Sequence, residues 1–148
     1  MSSEIKLAHW PADSRQISSA FGMRVHPVTK VKKTHQGIDI KPLKGPGEPI
    51  YAAADGTVSV AKANRNDPRT GYGWYVVIDH GGWCTIYAHQ LEGIPVKCGQ
   101  KVKAGDVIGK IGNSGCSTGA HLHFGVARGA FKAAGSDWID PVPLLSGL

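Results

Sequence analysis

Three short segments of the sequence contain histidines at spacings that could gather their side chains around one point. The first is His35-Gln36-Gly37-Ile38-Asp39, in which a histidine and a carboxylate are four residues apart. The second is His121-Leu122-His123 and the third is Tyr87-Ala88-His89. Residues an even number apart share a face of a β-strand, and residues four apart also share a face of a helix. Each segment therefore predicts a pair of polar side chains on one face.

The residue types in these segments suit a metal site. Any one histidine is more simply explained as a hydrogen-bonded structural residue. Together, however, two histidines and one carboxylate form a known ligand set of catalytic zinc, with a fourth position left for water. The two histidines beyond that set would be suited to proton transfer or to stabilising a charged oxygen. The combination predicts a catalytic site with one Zn²⁺ per chain.

The elements that would carry these residues are predicted to be β-strands. Residues 73–80 alternate, with Trp74, Val76 and Ile78 on one face. Gly81-Gly82 then breaks the strand, and residues 83–89 are expected to return as the second strand of a hairpin. In this strand Tyr87 and His89 should share a face, just as His121 and His123 should lie opposite the apolar face of Leu122, Phe124 and Val126. Further strands are predicted at residues 38–40, 50–54, 57–61, 107–111 and 121–127.

Length and composition predict a single β domain. The chain has 148 residues, with 20 glycines and nine prolines, and helical periodicity is weak. The many turn residues and short alternating segments favour a mainly antiparallel β fold with short helical turns near residues 14–19. No repeat, linker or low-complexity segment divides the chain. We therefore expect one domain over residues 1–148, with its core at about residues 10–141.

The charge and the N-terminal residues bear on partners and compartment. The net charge of +6 and the pI of about 9.3 favour a polyanionic partner, yet no nucleic-acid-binding motif accompanies the charge, so nucleic acid is not expected. The first ten residues lack the apolar core of a signal peptide, and no segment is long enough to span a membrane. These features predict a monomer that is made in the cytoplasm without a signal peptide.

The three cysteines are Cys84, Cys98 and Cys116, and they form no Cys-x-x-Cys pair. Cys84 and Cys98 could form a disulfide bridge, but a cytoplasmic origin favours free thiols. The simplest interpretation of all three is that of small buried apolar side chains without chemistry.

The order of the motifs makes the sequence recognisable over about residues 10–141. It resembles the M23 family of zinc endopeptidases, the lysostaphin- and LytM-like peptidoglycan hydrolases. The alternating segments at residues 73–89 are similar to the central hairpin of that family. The other matching segments are residues 17–27 (ISSAFGMRVHP), 35–40 (HQGIDI), 49–56 (PIYAAADG), 112–115 (GNSG) and 117–124 (STGAHLHF).

The resemblance implies roles for individual residues. It implies that His35, Asp39 and His123 are zinc ligands and that His89 and His121 are the two catalytic histidines that do not bind the metal. It also implies the lysostaphin/LytM-like fold, a duplicated hybrid motif, and hydrolysis of the peptides of bacterial peptidoglycan. Gln90 departs from the family pattern, in which leucine is usual, and residues 64–70 resemble a modest insertion. These departures bear on the shape of the groove.

The resemblance also bears on substrate and origin. The Gly-x-Arg-x-His-Pro segment at residues 22–27 resembles the corresponding segment of enzymes that act on directly cross-linked, diaminopimelate-type walls. This resemblance implies a D,D-endopeptidase. A compact, basic wall hydrolase without a leader looks like a phage endolysin, which acts on the wall once the membrane is breached. Two alternatives to an endolysin are a phage tail lysin and a periplasmic enzyme without its leader.

Three other functions compete with this interpretation. A LytM-like module that binds peptidoglycan or activates an amidase without cleaving would be expected to lack some of the five polar residues, and all five are present. A nucleic-acid-binding β-barrel would explain the charge but none of the histidines. A zinc deaminase needs His-x-Glu and Cys-x-x-Cys, and the sequence has neither.

Overall fold

The computed structural model of the protein describes residues 5–25, 32–63, 72–114, 119–131 and 136–148, with residues 23–25 and 32–35 described by their backbone only. Within these ranges the chain is almost entirely β-structure. The single helix described, α1 (Val142–Leu145), follows Pro141. The strands are β1 (Ile17–Ser19), β2 (Gly22–Val25), β3 (Lys32–His35), β4 (Ile38–Ile40), β5 (Pro49–Tyr51), β6 (Gly56–Ala63), β7 (Trp74–Asp79), β8 (Trp83–Gln90), β9 (Lys101–Val102), β10 (Val107–Lys110), β11 (Leu122–Arg128) and β12 (Asp137–Ile139).

Most strands form one antiparallel sheet of eight strands. Its order is β1-β4-β11-β8-β7-β6-β9, and β12 pairs with β11 outside this path. One edge of β11 pairs with β8 along nearly its whole length. The other edge is divided between β4, at Leu122 to Phe124, and β12, at Val126 to Arg128. Two smaller sheets are formed by β5 with β10 and by β2 with β3.

The large sheet buries apolar side chains on both faces. The main core lies on the face that carries Val76, Tyr87 and Phe124, all fully buried. A second, smaller cluster lies on the opposite face, around Tyr75 and Ile86, with Tyr72, Phe131 and Trp138 packed against it. Because β7 and β8 contribute to both clusters, their sequences are apolar at nearly every position, as in a strand covered on both sides.

The predicted fold class and most predicted strands are confirmed. The hairpin of β7 and β8 turns at Gly81 and Gly82, whose φ angles of 86° and 85° favour glycine. The strand predicted at residues 50–54 is shorter in the structure. Strand β5 ends at Tyr51, and Ala52 to Ala54 are buried but belong to no strand.

The helical turns predicted near residues 14–19 are wrong. The chain is extended there, and β1 pairs with β4, with Ile17 opposite Ile40. A pairing partner more than 20 residues away in sequence overrides the weak local preference of this serine-containing segment.

The described cysteines are free thiols. Cys84 is buried and Cys98 is exposed, so the bridge considered between them is absent in the described structure. The interpretation as a buried apolar side chain is correct for Cys84 and wrong for Cys98, whose thiol donates a hydrogen bond to the carbonyl of Ser59 over 3.3 Å. Cys116 and residues 64–70 lie outside the described residues.

In the part of the chain that the structure describes, no helix is both long and apolar enough to cross a membrane.

Candidate active site

Three adjacent strands, β4, β11 and β8, carry or directly adjoin four of the five predicted site residues, Asp39, His89, His121 and His123. His123 on β11 lies directly opposite Asp39 on β4 and Ala88 on β8. Paired residues of antiparallel strands share a face, so Asp39 and His123 project from the same side of the sheet. This side is opposite the main core, in which Leu122 and Phe124 are fully buried. The alternation predicted for residues 121–126 is confirmed.

Gly37 allows β4 to approach β11 this closely. A Cβ atom at this position would lie 2.4 Å from the carbonyl oxygen of Phe124 and 3.1 Å from the Cα of Gly125. Contacts that short do not occur between real atoms, and the obstructing atoms belong to the backbone, which cannot rotate away. The glycine two residues before Asp39 therefore helps to set the distance between Asp39 and His123.

The Asp39 carboxylate is the centre of the described polar cluster. Its Oδ1 atom lies 3.2 Å from Nδ1 of His123 and 3.6 Å from Nε2 of His121. Two ligands of one tetrahedral zinc, each bound at about 2.1 Å, stand about 3.4 Å apart. The Asp39–His123 separation therefore fits two ligands of a common ion, and a nitrogen and a carboxylate oxygen are donors that zinc accepts.

His35 belongs to a different sheet from Asp39 and His123. It is the last residue of β3 and pairs with Gly22 of β2, whereas Asp39 belongs to β4 of the large sheet. The two residues therefore lie on two successive strands, because the chain leaves β3 and begins β4 between them. That their side chains share a face stays a prediction. The side chain of His35 lies outside the described part of the structure. The side chains that are described do not by themselves form a metal site of three ligands.

His89 points to the same side of the sheet as His123, which the alternation of β8 did not predict. Its ring centroid lies 4.8 Å from that of His121 and 6.1 Å from that of His123. Its φ angle is 62°, the only positive value among the described residues other than glycine. The register of β7 and β8 shifts at this place. Gln90 lies opposite Trp74 and Tyr87 lies opposite Val76, so β8 has one residue more than β7 between these two pairs. Such a bulge re-aims a side chain.

Tyr87 faces the main core instead. Its ring packs against Phe124 at 5.3 Å between centroids, and its hydroxyl oxygen accepts a hydrogen bond from the backbone N–H of Ala53 over 2.9 Å. The predicted pairing of Tyr87 and His89 on one face is therefore wrong, because the bulge and the left-handed backbone of His89 interrupt the alternation. Tyr87 is a structural residue.

The environment of His89 keeps its imidazole neutral. Burial lowers its pKa to about 4, and the neighbouring His121 and His123 act in the same direction. The Nδ1 atom lies 2.7 Å from the carbonyl oxygen of Ser114. A carbonyl oxygen can only accept, so Nδ1 carries the proton and Nε2 keeps its lone pair. His89 therefore presents an unprotonated Nε2 on this side of the sheet.

His121 is oriented by a similar contact. Its Nδ1 atom lies 2.8 Å from the carbonyl oxygen of Gly119, and its Nε2 atom is directed toward Asp39. Gly112 joins the backbones of both histidines, because its N–H donates to the His89 carbonyl over 3.0 Å and its carbonyl accepts from the N–H of His121 over 3.2 Å. The two imidazoles are thus held beside each other by one residue.

Comparison with protein families decides the relationship. The model of peptidase family M23 matches residues 33–141, a range that contains all five predicted site residues. The chain belongs to this family.

Known M23 relatives agree with this assignment. Peptidoglycan DD-endopeptidase ShyA from Vibrio cholerae is 46% identical over 119 residues, which cover 78% of this chain and 26% of ShyA. The DD-carboxypeptidase/endopeptidase Mpg from Neisseria meningitidis is 39% identical over 115 residues, which cover 74% of this chain and 24% of Mpg. The chain thus spans about a quarter of the length of these curated relatives.

Solved M23 structures share the fold. A zinc-containing peptidase from Vibrio cholerae has 36% identity and a TM-score of 0.73, covering 93% of this chain and 39% of that one. The catalytic domain of the antimicrobial peptidase lysostaphin from Staphylococcus simulans has 28% identity and a TM-score of 0.72, covering 88% of this chain and 91% of that domain. The predicted lysostaphin/LytM-like fold is confirmed.

Three residues of this M23 site were not singled out from the sequence. Gly112 and Ser114 belong to the GNSG segment, which was noticed only as a family motif, and their contacts to the histidines are made by backbone atoms. Tyr72 lies outside every motif, yet its carbonyl accepts the N–H of His89 over 2.8 Å and its ring lies 6.2 Å from that of His123. Backbone contacts of this kind leave no residue-type signal in a single sequence.

Proposed function

We propose that this M23 chain is a zinc-dependent endopeptidase that hydrolyses the peptides of bacterial peptidoglycan. The observation that carries the proposal is the convergence of Asp39, His121 and His123 within 3.6 Å, with the neutral His89 beside them. The name of the relative ShyA, a peptidoglycan DD-endopeptidase, supports peptidoglycan as the substrate. The name of the zinc-containing Vibrio cholerae peptidase supports zinc as the metal.

The donor set fits zinc, and His35, Asp39 and His123 would hold it. When bound there, zinc would supply a Lewis acid and would lower the pKa of a water molecule toward about 7. The Asp39 carboxylate has a second task, because its Oδ1 atom also faces Nε2 of His121. It would therefore help to orient His121 as well as bind the metal.

His89 would act as the general base. Its Nε2 atom, unprotonated because Nδ1 donates to Ser114, would accept a proton from the attacking water and return it to the amine that leaves. The C–O bond to water forms first, which moves a pair of electrons onto the carbonyl oxygen, and the C–N bond then breaks as the leaving amine takes up the proton. His121, whose ring centroid lies 4.8 Å from that of His89, would donate a hydrogen bond from an Nε2–H to the carbonyl oxygen and so stabilise the negative charge that develops there.

We further propose that the bond cleaved is a D,D peptide bond in diaminopimelate-type wall. The DD-endopeptidase names of ShyA and of ShyC, a second Vibrio cholerae protein that is 42% identical to this chain over 117 residues, support the D,D character of the bond. The segment at residues 22–27 that suggested it from the sequence lies only partly within the described residues.

Digestion of purified diaminopimelate-type peptidoglycan tests the activity and names the bond. The zinc-loaded protein should release fragments with new peptide termini, identified by mass spectrometry. His121→Ala should release none, while His9→Ala, which removes an exposed histidine remote in the chain, should behave as the wild type. Products cleaved only in the glycan would overturn the reaction class. Products from glycine-bridged wall alone would overturn the D,D specificity.

A non-catalytic wall-binding module is the competing function. It predicts that the wild type binds peptidoglycan, releases no peptide termini and carries no stoichiometric zinc. Zinc content near one per chain together with cleavage would exclude it.

The endolysin role remains a separate proposal. The catalytic domain of EnpA, a prophage-encoded M23 protein from Enterococcus faecalis, is 30% identical to this chain with a TM-score of 0.70. The match covers 86% of this chain and 88% of that domain. The prophage origin of EnpA supports the endolysin proposal. Added from outside, the protein should lyse Gram-negative cells with a permeabilised outer membrane. Cleavage of purified wall without lysis would argue against this role and leave the endopeptidase proposal intact.

A further inference from the structure

His89 has a conformation that its own chain segment does not favour. A non-glycine residue in the left-handed region is strained by about 1 kcal/mol, and it persists only when neighbouring groups hold it. The φ angle of His89 is 62°. Two backbone hydrogen bonds fix its main chain, one to the carbonyl of Tyr72 and one from the N–H of Gly112. These contacts fix the position of the residue but not the rotation of its imidazole or the location of its proton.

Ser114 makes the contact that fixes the imidazole. Its carbonyl oxygen lies 2.7 Å from Nδ1 of His89. Because this oxygen can only accept a hydrogen bond, the contact selects the tautomer with hydrogen on Nδ1 and leaves Nε2 unprotonated, on a ring that lies beside those of His121 and His123. The carbonyl must itself be held in place for this selection to be effective.

The hydroxyl of Ser114 holds it there. The Oγ atom accepts a hydrogen bond from the backbone N–H of Trp74 over 3.0 Å and donates one to the carbonyl of Gln90 over 2.5 Å. Trp74 and Gln90 are register partners on β7 and β8, immediately beside the bulge at His89. The serine side chain therefore bridges the two strands at the point where their regular pairing is interrupted.

We propose that Ser114 is a positioning residue that holds His89 as the Nδ1–H tautomer with Nε2 facing the reacting groups. This inference rests on the proposed role of His89 as the general base. The hydroxyl anchors the loop to both strands of the hairpin, and the anchored carbonyl orients the imidazole. Without the hydroxyl, the Trp74 N–H and the Gln90 carbonyl lose a partner and the Ser114 carbonyl is free to move.

Nitrogen-15 NMR of the histidine rings tests the inference directly. In the zinc-loaded wild type at neutral pH, His89 should give the pattern of a single tautomer protonated at Nδ1. Ser114→Ala should give an averaged pattern, and Ser114→Thr, which keeps a hydroxyl, should restore the single tautomer. Ser59→Ala is the matched control, because it also removes a serine hydroxyl bonded to a strand carbonyl, that of Val77 over 3.3 Å, away from the site.

The kinetics of peptidoglycan cleavage provide a second test of the inference. Ser114→Ala should lower kcat about tenfold, the size expected for losing an orienting partner, with little change in KM or zinc content. Retention of the Nδ1–H tautomer and of kcat in Ser114→Ala would overturn the inference, even if the variant melts at a lower temperature. If Ser114→Ala fails to fold, Ser114→Cys, of similar size but with a weakly bonding thiol, serves in its place.

The two proposals fail separately. Absence of cleavage by the wild type would contradict the proposed function. The tautomer of His89 is measured by NMR without substrate, so that measurement still tests whether Ser114 positions His89.

Discussion

Asp39 and His123 are separated by 84 positions in the chain, yet their side chains meet at 3.2 Å between Oδ1 and Nδ1. They are register partners on β4 and β11, so the hydrogen-bonded ladder, and not the side chains alone, sets their distance. The same carboxylate oxygen lies 3.6 Å from Nε2 of His121. A change at Asp39 therefore affects a proposed zinc ligand and a proposed catalytic histidine together.

Replacing Asp39 by asparagine should release the metal. The amide keeps the shape of the side chain but lacks the charge that attracts zinc, so we expect zinc affinity to fall by at least about a hundredfold. Metal analysis after dialysis should give close to one zinc per wild-type chain and far less for the variant. Asp79→Asn is the matched control, since Asp79 is exposed and bonds only the turn N–H of Gly81 among the contacts described. Full zinc content in Asp39→Asn would contradict the assigned ligand set.

Replacing His89 by alanine should remove catalysis and leave the metal in place. Loss of a general base typically costs about a hundredfold to ten-thousandfold in rate. The variant should therefore bind one zinc per chain and cleave peptidoglycan slowly, with most of the loss in kcat. Loss of zinc from His89→Ala would show instead that the residue is a ligand.

The low pKa of His89 should be visible in a pH titration. Burial lowers its pKa from 6.5 to about 4, so NMR of the metal-free protein should find its midpoint near the lower value. Below pH 6.5 the unfolded chain binds a proton that the folded protein does not, so stability present above pH 6.5 is lost as the pH falls toward 4. Burial lowers the pKa of His80 as well, which acts in the same direction. Urea unfolding should therefore give a lower free energy at pH 5 than at pH 7, and a His89 midpoint near 6.5 would contradict the burial argument.

Replacing Gly37 by alanine should push β4 away from β11. The added Cβ would lie 2.4 Å from the Phe124 carbonyl oxygen, so we expect a loss of about 1–3 kcal/mol in the free energy of unfolding. Asp39 follows two residues later, so zinc content should fall as well. Gly119→Ala is the control for stability, because no atom of the described residues lies within 4 Å of the position its Cβ would take. Equal stability of both variants would show that the strands can separate without cost.

The two described thiols should differ sharply in reactivity. Cys98 is exposed, whereas burial raises the pKa of Cys84 to about 11 and keeps its thiolate scarce. In the native protein a thiol reagent should modify Cys98 quickly, and mass spectrometry of the digest should find Cys84 modified only after unfolding. Rapid native labelling of Cys84 would mean that this part of the sheet opens readily.

The strand pattern and the members of the site follow from the sequence to a large extent. The alternation in β11 correctly separates Leu122, Phe124 and Val126 from His123, because β11 pairs with β8 and β4 without a register shift at these residues. Period-two reasoning holds wherever a ladder is continuous.

The arrangement at His89 could not be predicted in this way. Tyr87 and His89 are two residues apart and face opposite sides, since one extra residue in β8 and a left-handed backbone separate them. Neither feature has a marker in the sequence, because the left-handed position is usually occupied by glycine or asparagine and here it is a histidine. The contacts of Ser114 and Gly112 to the histidines are equally hidden, as backbone atoms make them.

The position of β11 between β4 and β8 has a consequence for biosynthesis. A ribosome delivers β4 and β8 long before β11, and these two strands do not pair with each other in the finished sheet. The strand that carries Asp39 and the strand that carries His89 gain their shared ladder partner only when β11 emerges and inserts between them. Assembly by such distant pairings is slow compared with folding through local contacts. A nascent chain that stops short of residue 122 would therefore hold most of the proposed catalytic groups in a harmless, unassembled form.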